Sequence, residues 1–278
     1  TAMMGPDEWG EQRVTAAGLR RLVKEVGKAQ RVEQLNLDPV RPDRRAVFPG
    51  GLAILAGLFE SLQIEALSLS DWSLREGALF DLVGRREGRD IRYQTVEKLI
   101  ERYHVDTQYA RRVRDTALRL FAGASEPWNL HPDNDRNLLA WAALLHDLGR
   151  DIAHSQFHKH GAYVVANADL PGFSRHEQKL LAALVRVHRR KFALEVFDEL
   201  PVTRCDTAKR LAVLLRIAVL LHRGRHSWQL PACDIQVKGS EITLKFPVGW
   251  LQDHPLTQAD LEAEQAYIEP GGFLLRFN

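Results

Sequence analysis

The sequence predicts a mostly α-helical protein with small α/β parts towards both ends. Three observations carry that expectation. Apolar residues recur at helical spacing from about 91 to 226, strict alternation appears only in short runs at 66–70, 233–246 and 272–277, and Gly, Pro and capping residues punctuate the segments. At 278 residues the chain is long enough for two or three domains.

Thr15 is the expected N-cap of a first helix, with Leu19, Leu22, Val23 and Val26 on its apolar face and Arg20, Arg21, Lys24 and Lys28 outside. Residues 36–46, with Pro39, Arg41, Pro42, Arg44 and Arg45, read as a connector. A buried helix over 47–60 follows, with Pro49, Gly50 and Gly51 in its first turn; two glycines there permit close approach by another helix or by a phosphate. The alternation Ala66-Leu-Ser-Leu-Ser70 predicts a strand and residues 74–83 a helix, with Asp71 and Ser73 at the junction. One strand cannot make a sheet, so this portion reads as an α/β fragment without the rest of its sheet. Helices are then expected over 92–103, 106–122, 134–148, 156–167, 174–187 and 207–222. Beyond Arg225, a hairpin about Lys238-Gly239, an acidic helix over 257–268 and a last strand over 272–277 make a small α/β cap.

Composition excludes several classes. The net charge of +2 confines any basic surface to a local patch. Cys205 and Cys233 are the only cysteines, which excludes a disulfide framework or Cys-rich zinc site and fits a reducing cytoplasm. No apolar run approaches the roughly 20 residues of a membrane span. Position 1 is Thr rather than Met and the first periodic segment begins near Thr15, so a longer parent protein is expected.

The chemistry concentrates in Trp141-Ala-Ala-Leu-Leu-His-Asp-Leu-Gly-Arg-Asp-Ile-Ala-His-Ser-Gln-Phe-His-Lys-His160. Six of the 11 histidines fall between 146 and 188. A His-Asp pair after an apolar helical run resembles the start of a metal-dependent HD phosphohydrolase site, and imidazole plus carboxylate suits first-row divalent ions. The rest of that pattern is missing. The position for an earlier His, four residues before Val113, holds Tyr109, and the "Ala-Asp" of the final helix reads Ala218-Val219. His146 and Asp147 are therefore only weak metal candidates; pairing between buried helices and anion binding stay open beside metal binding. The third reading has its own support. Arg186-Val-His-Arg-Arg-Lys191 contains Arg186, His188, Arg189, Arg190 and Lys191 without an acid, and His154, His158 and His160 are placed to extend that wall. No aromatic interleaving accompanies the cluster, which argues against nucleic acid.

Several stretches together resemble the exopolyphosphatase / guanosine pentaphosphate phosphohydrolase family: Val47-Phe-Pro-Gly-Gly-Leu-Ala-Ile-Leu, the run Leu67 to Asp81 with Ser-Asp and Leu-Arg-Glu-Gly, Tyr109-Ala-Arg-Arg-Val, His154 to Tyr163, Asp169-Leu-Pro-Gly-Phe173 and Leu184-Val-Arg-Val-His-Arg189. The resemblance implies three parts. Residues 1–88 would be the end of the second actin-like (ribonuclease H-like) phosphatase domain, 89–226 a degenerate HD-like helical domain, and 227–278 a small C-terminal α/β domain. It places Gly50, Gly51, Asp71, Arg75 and Glu76 near the family's interdomain cleft and the basic, His-rich surface along the path of the polyanion. Trp72 stands where the family usually has Gly. The catalytic carboxylate and most of the Mg²⁺ site would lie upstream, so no catalytic residue is expected here. The implied partners are inorganic polyphosphate or guanosine pentaphosphate and a second copy of the chain as a homodimer. The first expectation is an exopolyphosphatase; a guanosine pentaphosphate phosphohydrolase and an autonomous HD enzyme are the alternatives.

Overall fold

A computed structural model describes residues 4–6, 12–29, 40–68, 90–225, 230–231 and 233–278. The chain divides into two compact units, residues 1–71 and 72–278.

In the first unit, strands β1 (Met4–Pro6), β2 (Gln12–Thr15) and β3 (Ala66–Ser68) form an antiparallel sheet in the order β1-β2-β3, with Val14 opposite Leu67. The expected lone strand therefore has partners. They were not legible because three or four residues are too short to show a period. Thr15 caps α1 (Ala16–Lys28), its Oγ1 accepting from Gly18 N at 3.1 Å. The expected connector contains one helical turn, α2 (Pro42–Arg45), and α3 (Phe48–Ser61) follows. Val14, Leu19, Leu52 and Phe59 form the core of this unit, with Leu22, Val26 and Leu55 packed on it. The helix expected over 74–83 lies outside the described residues, as do Asp71, Trp72, Arg75 and Glu76.

The second unit is built on helices with local start signals. Asp90 caps α4 (Ile91–Arg102) and Asp106 caps α5 (Thr107–Ala124), each carboxylate accepting a backbone N–H of the first turn. Next come α6 (Asn134–Leu145), α7 (Phe157–Asn167) and α8 (Arg175–Val187). Helix α8 opens with a reciprocal capping box between Ser174 and Glu177. The long α9 (Val202–Leu221) is buried along most of its length, including Leu211 to Ala218. Two boundaries depart from expectation. Helix α6 stops at Leu145 and passes through His146-Asp147 into a 3₁₀ turn, Leu148–Asp151. Helix α9 starts five residues early, directly after Pro201, and its first two residues, Val202 and Thr203, are exposed. Trp141, fully buried, joins the layers. Its ring makes edge contacts with Tyr93 at 5.5 Å and Phe173 at 4.9 Å, and the Arg92 guanidinium lies 4.8 Å from its centroid.

The end of the chain packs on the same helical body. β4 (Asp234–Lys238) and β5 (Glu241–Lys245) form the hairpin, turning at Gly239 with φ +60°. After the short α10 (Trp250–Asp253), α11 (Pro255–Ile268) carries the chain over so that β6 (Leu274–Phe277) pairs parallel with β5. Trp128 Nε1 donates to Gly239 O at 2.7 Å, and Gly123 is small because Ile235 sits against it; a Cβ there would lie 2.6 Å from Ile235 Cγ2. No helix among the described residues is long and apolar enough to cross a membrane.

Candidate functional site

The turn after α6 is shaped by close packing. A Cβ on Gly149 would lie 2.0 Å from Phe157 O and 2.4 Å from Gly161 N, so only glycine lets the 3₁₀ turn meet the start of α7. That contact fixes His146 and Asp147 against α5, α8 and the end of α9. His146 Nδ1 donates to Ala143 O and His188 Nδ1 to Val185 O, both at 2.7 Å, and the two rings meet edge to face at 5.3 Å. A carbonyl only accepts, so each Nδ1 carries the proton and each Nε2 presents a lone pair. Both Nε2 atoms are buried without a partner, as is His158 Nδ1. Burial pulls the His146 pKa down to about 4, and burial likewise holds His188 well below the usual histidine range.

Asp147 is claimed by arginine. Arg225 Nη2 donates to its Oδ2, Arg150 Nη1 stands 3.8 Å from the same oxygen, and His146 Nε2 is 3.9 Å from Oδ1. Tyr109 packs on His146 with ring centroids 5.4 Å apart, and the Arg225 guanidinium lies 4.0 Å from the Tyr109 centroid. Tyr109 and Val219, the two positions where an HD metal site would need ligands, line the same cleft as Asp147. Among the described residues, no group of three His, Cys, Asp or Glu is arranged to hold a metal ion. The described residues of this cleft do not fit a divalent cation, Mg²⁺ included.

The cleft has a volume of about 310 Å³. Its walls carry Arg150, Arg189, Arg190, Arg216, Arg223 and Arg225 against three carboxylates, Asp147, Asp260 and Glu264. Arg225 pairs with Asp147, Arg223 with Asp260, and Arg216 with Glu264. Six arginines against three carboxylates leave a surplus of positive charge, with Arg150 sharing Asp147 with Arg225. Burial first, then the neighbouring Arg190, Arg223 and Arg150, lower the Arg189 pKa, as crowded cations do. Arg150 and Arg189 share one support, the Phe157 ring, at 5.2 and 4.5 Å from its centroid. A larger groove of about 840 Å³ beside α4 balances Glu97, Glu101 and Asp115 against Arg111, Arg114 and Arg136 and lacks this surplus.

The structure gathers His154, His188, Arg189 and Arg190 into the cleft, but four expected members of the wall do not line it. His158 is buried with its ring 6.3 Å from His188, its pKa drawn to about 4 by burial and by the cations Arg186, Arg189, Lys159 and Arg190. His160 and Arg186 lie on helix positions whose sides differ from those of the cleft residues, and Lys191 lies beyond the end of α8; none of the three lines the cleft. Arg150, Arg223 and Arg225 are the residues the sequence reading missed. Arg150 lies three residues beyond Asp147, and Arg223 and Arg225 lie one and three residues beyond the expected helix end at 222. In the first unit, Gly50 and Gly51 are exposed, and a Cβ on either would meet nothing within 4 Å. No neighbouring helix among the described residues accounts for them.

Comparison with known proteins defines the class that this helical body and its cleft belong to. Residues 91–265 match the model of Ppx/GppA phosphatase, domain III, and residues 1–86 that of the Ppx/GppA phosphatase family; the chain belongs to this family. Among its relatives are proteins named guanosine-5'-triphosphate,3'-diphosphate pyrophosphatase. The one from Aeromonas hydrophila is 37% identical over 253 residues, covering 91% of this chain and 51% of the relative. That from Pseudoalteromonas translucida is 38% identical over 247 residues, covering 89% and 50%. The chain thus spans about half the length of the curated relatives it matches.

Proposed function

We propose that this chain is the C-terminal part of a guanosine pentaphosphate phosphohydrolase, and that its helical unit grips the phosphates of the substrate while the catalytic groups lie outside it. The observation that carries this reading is the cleft with six arginines against three carboxylates, in a family whose similar members are named for a guanosine pentaphosphate substrate. Charge-assisted hydrogen bonds from arginine forks to phosphate oxygens are the strong, geometry-selective kind. Hydrolysis would break a terminal phosphoanhydride bond by attack of water on phosphorus; a dense cationic wall suits the developing negative charge but supplies no base to activate water. The residues expected at the other part of the site, Gly50 and Gly51 with Asp71, Arg75 and Glu76, belong to this proposal as contributors to the interdomain cleft of the longer protein. Homodimer formation and a cytoplasmic setting are part of the same reading.

Exopolyphosphatase activity, the first expectation from the sequence, is kept as the second reading, since the arginine wall suits inorganic polyphosphate as well. The relatives' names favour the nucleotide. The test is phosphate release by the full coding-frame product and by this chain, with guanosine pentaphosphate and with long-chain polyphosphate. Release from the nucleotide by the longer protein alone is the expected result. Turnover by this chain would refute the assignment of catalysis elsewhere, and turnover of polyphosphate alone would reverse the substrate.

A further inference from the structure

We propose that Arg216 is a positioning residue for the cleft: held by Glu264, its guanidinium fixes the backbone at the end of α8, and through that backbone it places Arg189 and Arg190. Helix α11, near the end of the chain, thereby controls the shape of a wall built by residues some 75 positions earlier, Glu264 against Arg189. The proposal rests on the reading that the cleft takes a phosphorylated ligand, and deepens it by naming the device that shapes the wall.

Helix α8 ends at Val187, and a helix end leaves carbonyls that a further turn would have bonded. Side chains meet those at and just beyond this end. His188 Nδ1 donates to Val185 O, Arg216 Nη1 to Val187 O, and Arg216 Nη2 to Arg190 O at 2.6 Å. The same guanidinium donates from Nε and Nη2 to the two carboxylate oxygens of Glu264. One planar group thus spans four acceptors, which its fixed fork of donors allows and a lysine ammonium does not.

The segment it holds would not keep its shape unaided. Arg190 has a left-handed backbone, φ +59°, which a non-glycine residue retains where surrounding contacts enforce it. Arg189 stands among Arg190, Arg223 and Arg150, like charges that would separate on a slack backbone. The Phe157 ring, 4.5 Å from the Arg189 guanidinium, supports the far end of that side chain, and Arg216 fixes its root. Arg216 itself has little to offer a ligand. It is buried, and its charge is met by Glu264, so its effect on binding runs through geometry.

Calorimetric titration of this chain with tripolyphosphate, beside urea unfolding of each variant, tests the proposal. Arg189→Ala, which removes a cation from the wall, should lose about ten-fold in affinity. Arg216→Met with Glu264→Leu, folded and with an unfolding midpoint near the parent's, should still lose about five-fold, because the wall is no longer held in place. Arg216→Lys keeps a charge opposite Glu264 but cannot span both carbonyls; it should lose several-fold as well, and it carries the test where the double variant does not fold. Gly123→Ala is the control for stability alone. Its Cβ would lie 2.6 Å from Ile235 Cγ2, and Gly123 does not line the cleft. It should unfold at lower urea yet bind within about two-fold of the parent. In the longer protein the double variant should raise KM for guanosine pentaphosphate several-fold with kcat held, the mark of lost grip rather than lost chemistry. The positioning role would be overturned by a folded double variant or Arg216→Lys that binds within about two-fold of the parent, by an equal loss in Gly123→Ala, or by a fall in kcat at unchanged KM. No binding of tripolyphosphate by the parent would instead overturn the reading of the cleft itself.

Discussion

Replacing Arg216 with methionine is expected to destabilise the second unit by roughly 3–5 kcal/mol, the range for removing one partner of a buried ion pair. The side chain is 1% exposed and makes all its bonds inside the protein. Its Nε and Nη2 donate to the two carboxylate oxygens of Glu264, Nη1 donates to Val187 O, and Nη2 also reaches Arg190 O. It thus ties α9 to α11 and to the end of α8. Methionine fills much of the volume, so the loss is electrostatic: a buried carboxylate without its cation and two carbonyls without donors. Burial already raises the Glu264 pKa, against the opposing pull of Arg216, and in the variant that pull is gone. An acid whose folded pKa is raised favours the folded state when protonated and loses that contribution as pH rises, so the penalty should be larger at pH 8 than at pH 5. Urea unfolding at both pH values measures it. Arg216→Met with Glu264→Leu should recover most of the loss, because an apolar pair of similar size avoids the desolvation cost. A single variant within about 1 kcal/mol of the parent, or a double variant as unstable as the single, would refute the reasoning.

Gly149→Ala should cost more than Gly161→Ala in urea unfolding, since the added Cβ meets backbone at 2.0 Å in the first case and at 3.2 Å in the second. Stability should fall as pH drops from about 6.5 towards 4, because His146 is buried neutral with its pKa near 4; its share is on the order of 3 kcal/mol. Such a depressed histidine stabilises the fold above its unfolded pKa and loses that contribution on acidification, so His146→Gln should flatten the acid limb of a pH series of thermal unfolding. Arg186→Ala and Lys191→Ala should leave tripolyphosphate affinity within about two-fold at moderate salt, as neither lines the cleft and distant exposed charges are screened. A loss as large as that of Arg189→Ala would move the site to the outer helix surface.

What the sequence determined by itself was local. Thr15, Asp90, Asp106 and the Ser174–Glu177 pair announce helix starts because a capping bond spans only two or three residues, and Lys238-Gly239 announces a turn because few residues accept its backbone angles. The basic run ending α8 and the His146-Asp147 pair were visible as patterns for the same reason. Tertiary structure decided what those patterns do. Asp147 meets Arg225 across 78 positions of sequence and Arg216 meets Glu264 across 48, and no periodicity encodes such pairings. Packing also drew Gln12–Thr15 into a sheet, although so short a segment shows no state in isolation. The decisive pairing, an arginine at the carboxylate of the buried His-Asp pair, depends on which long side chain the fold delivers to Asp147. Only the packing of α9 against α5 and α6 makes that choice.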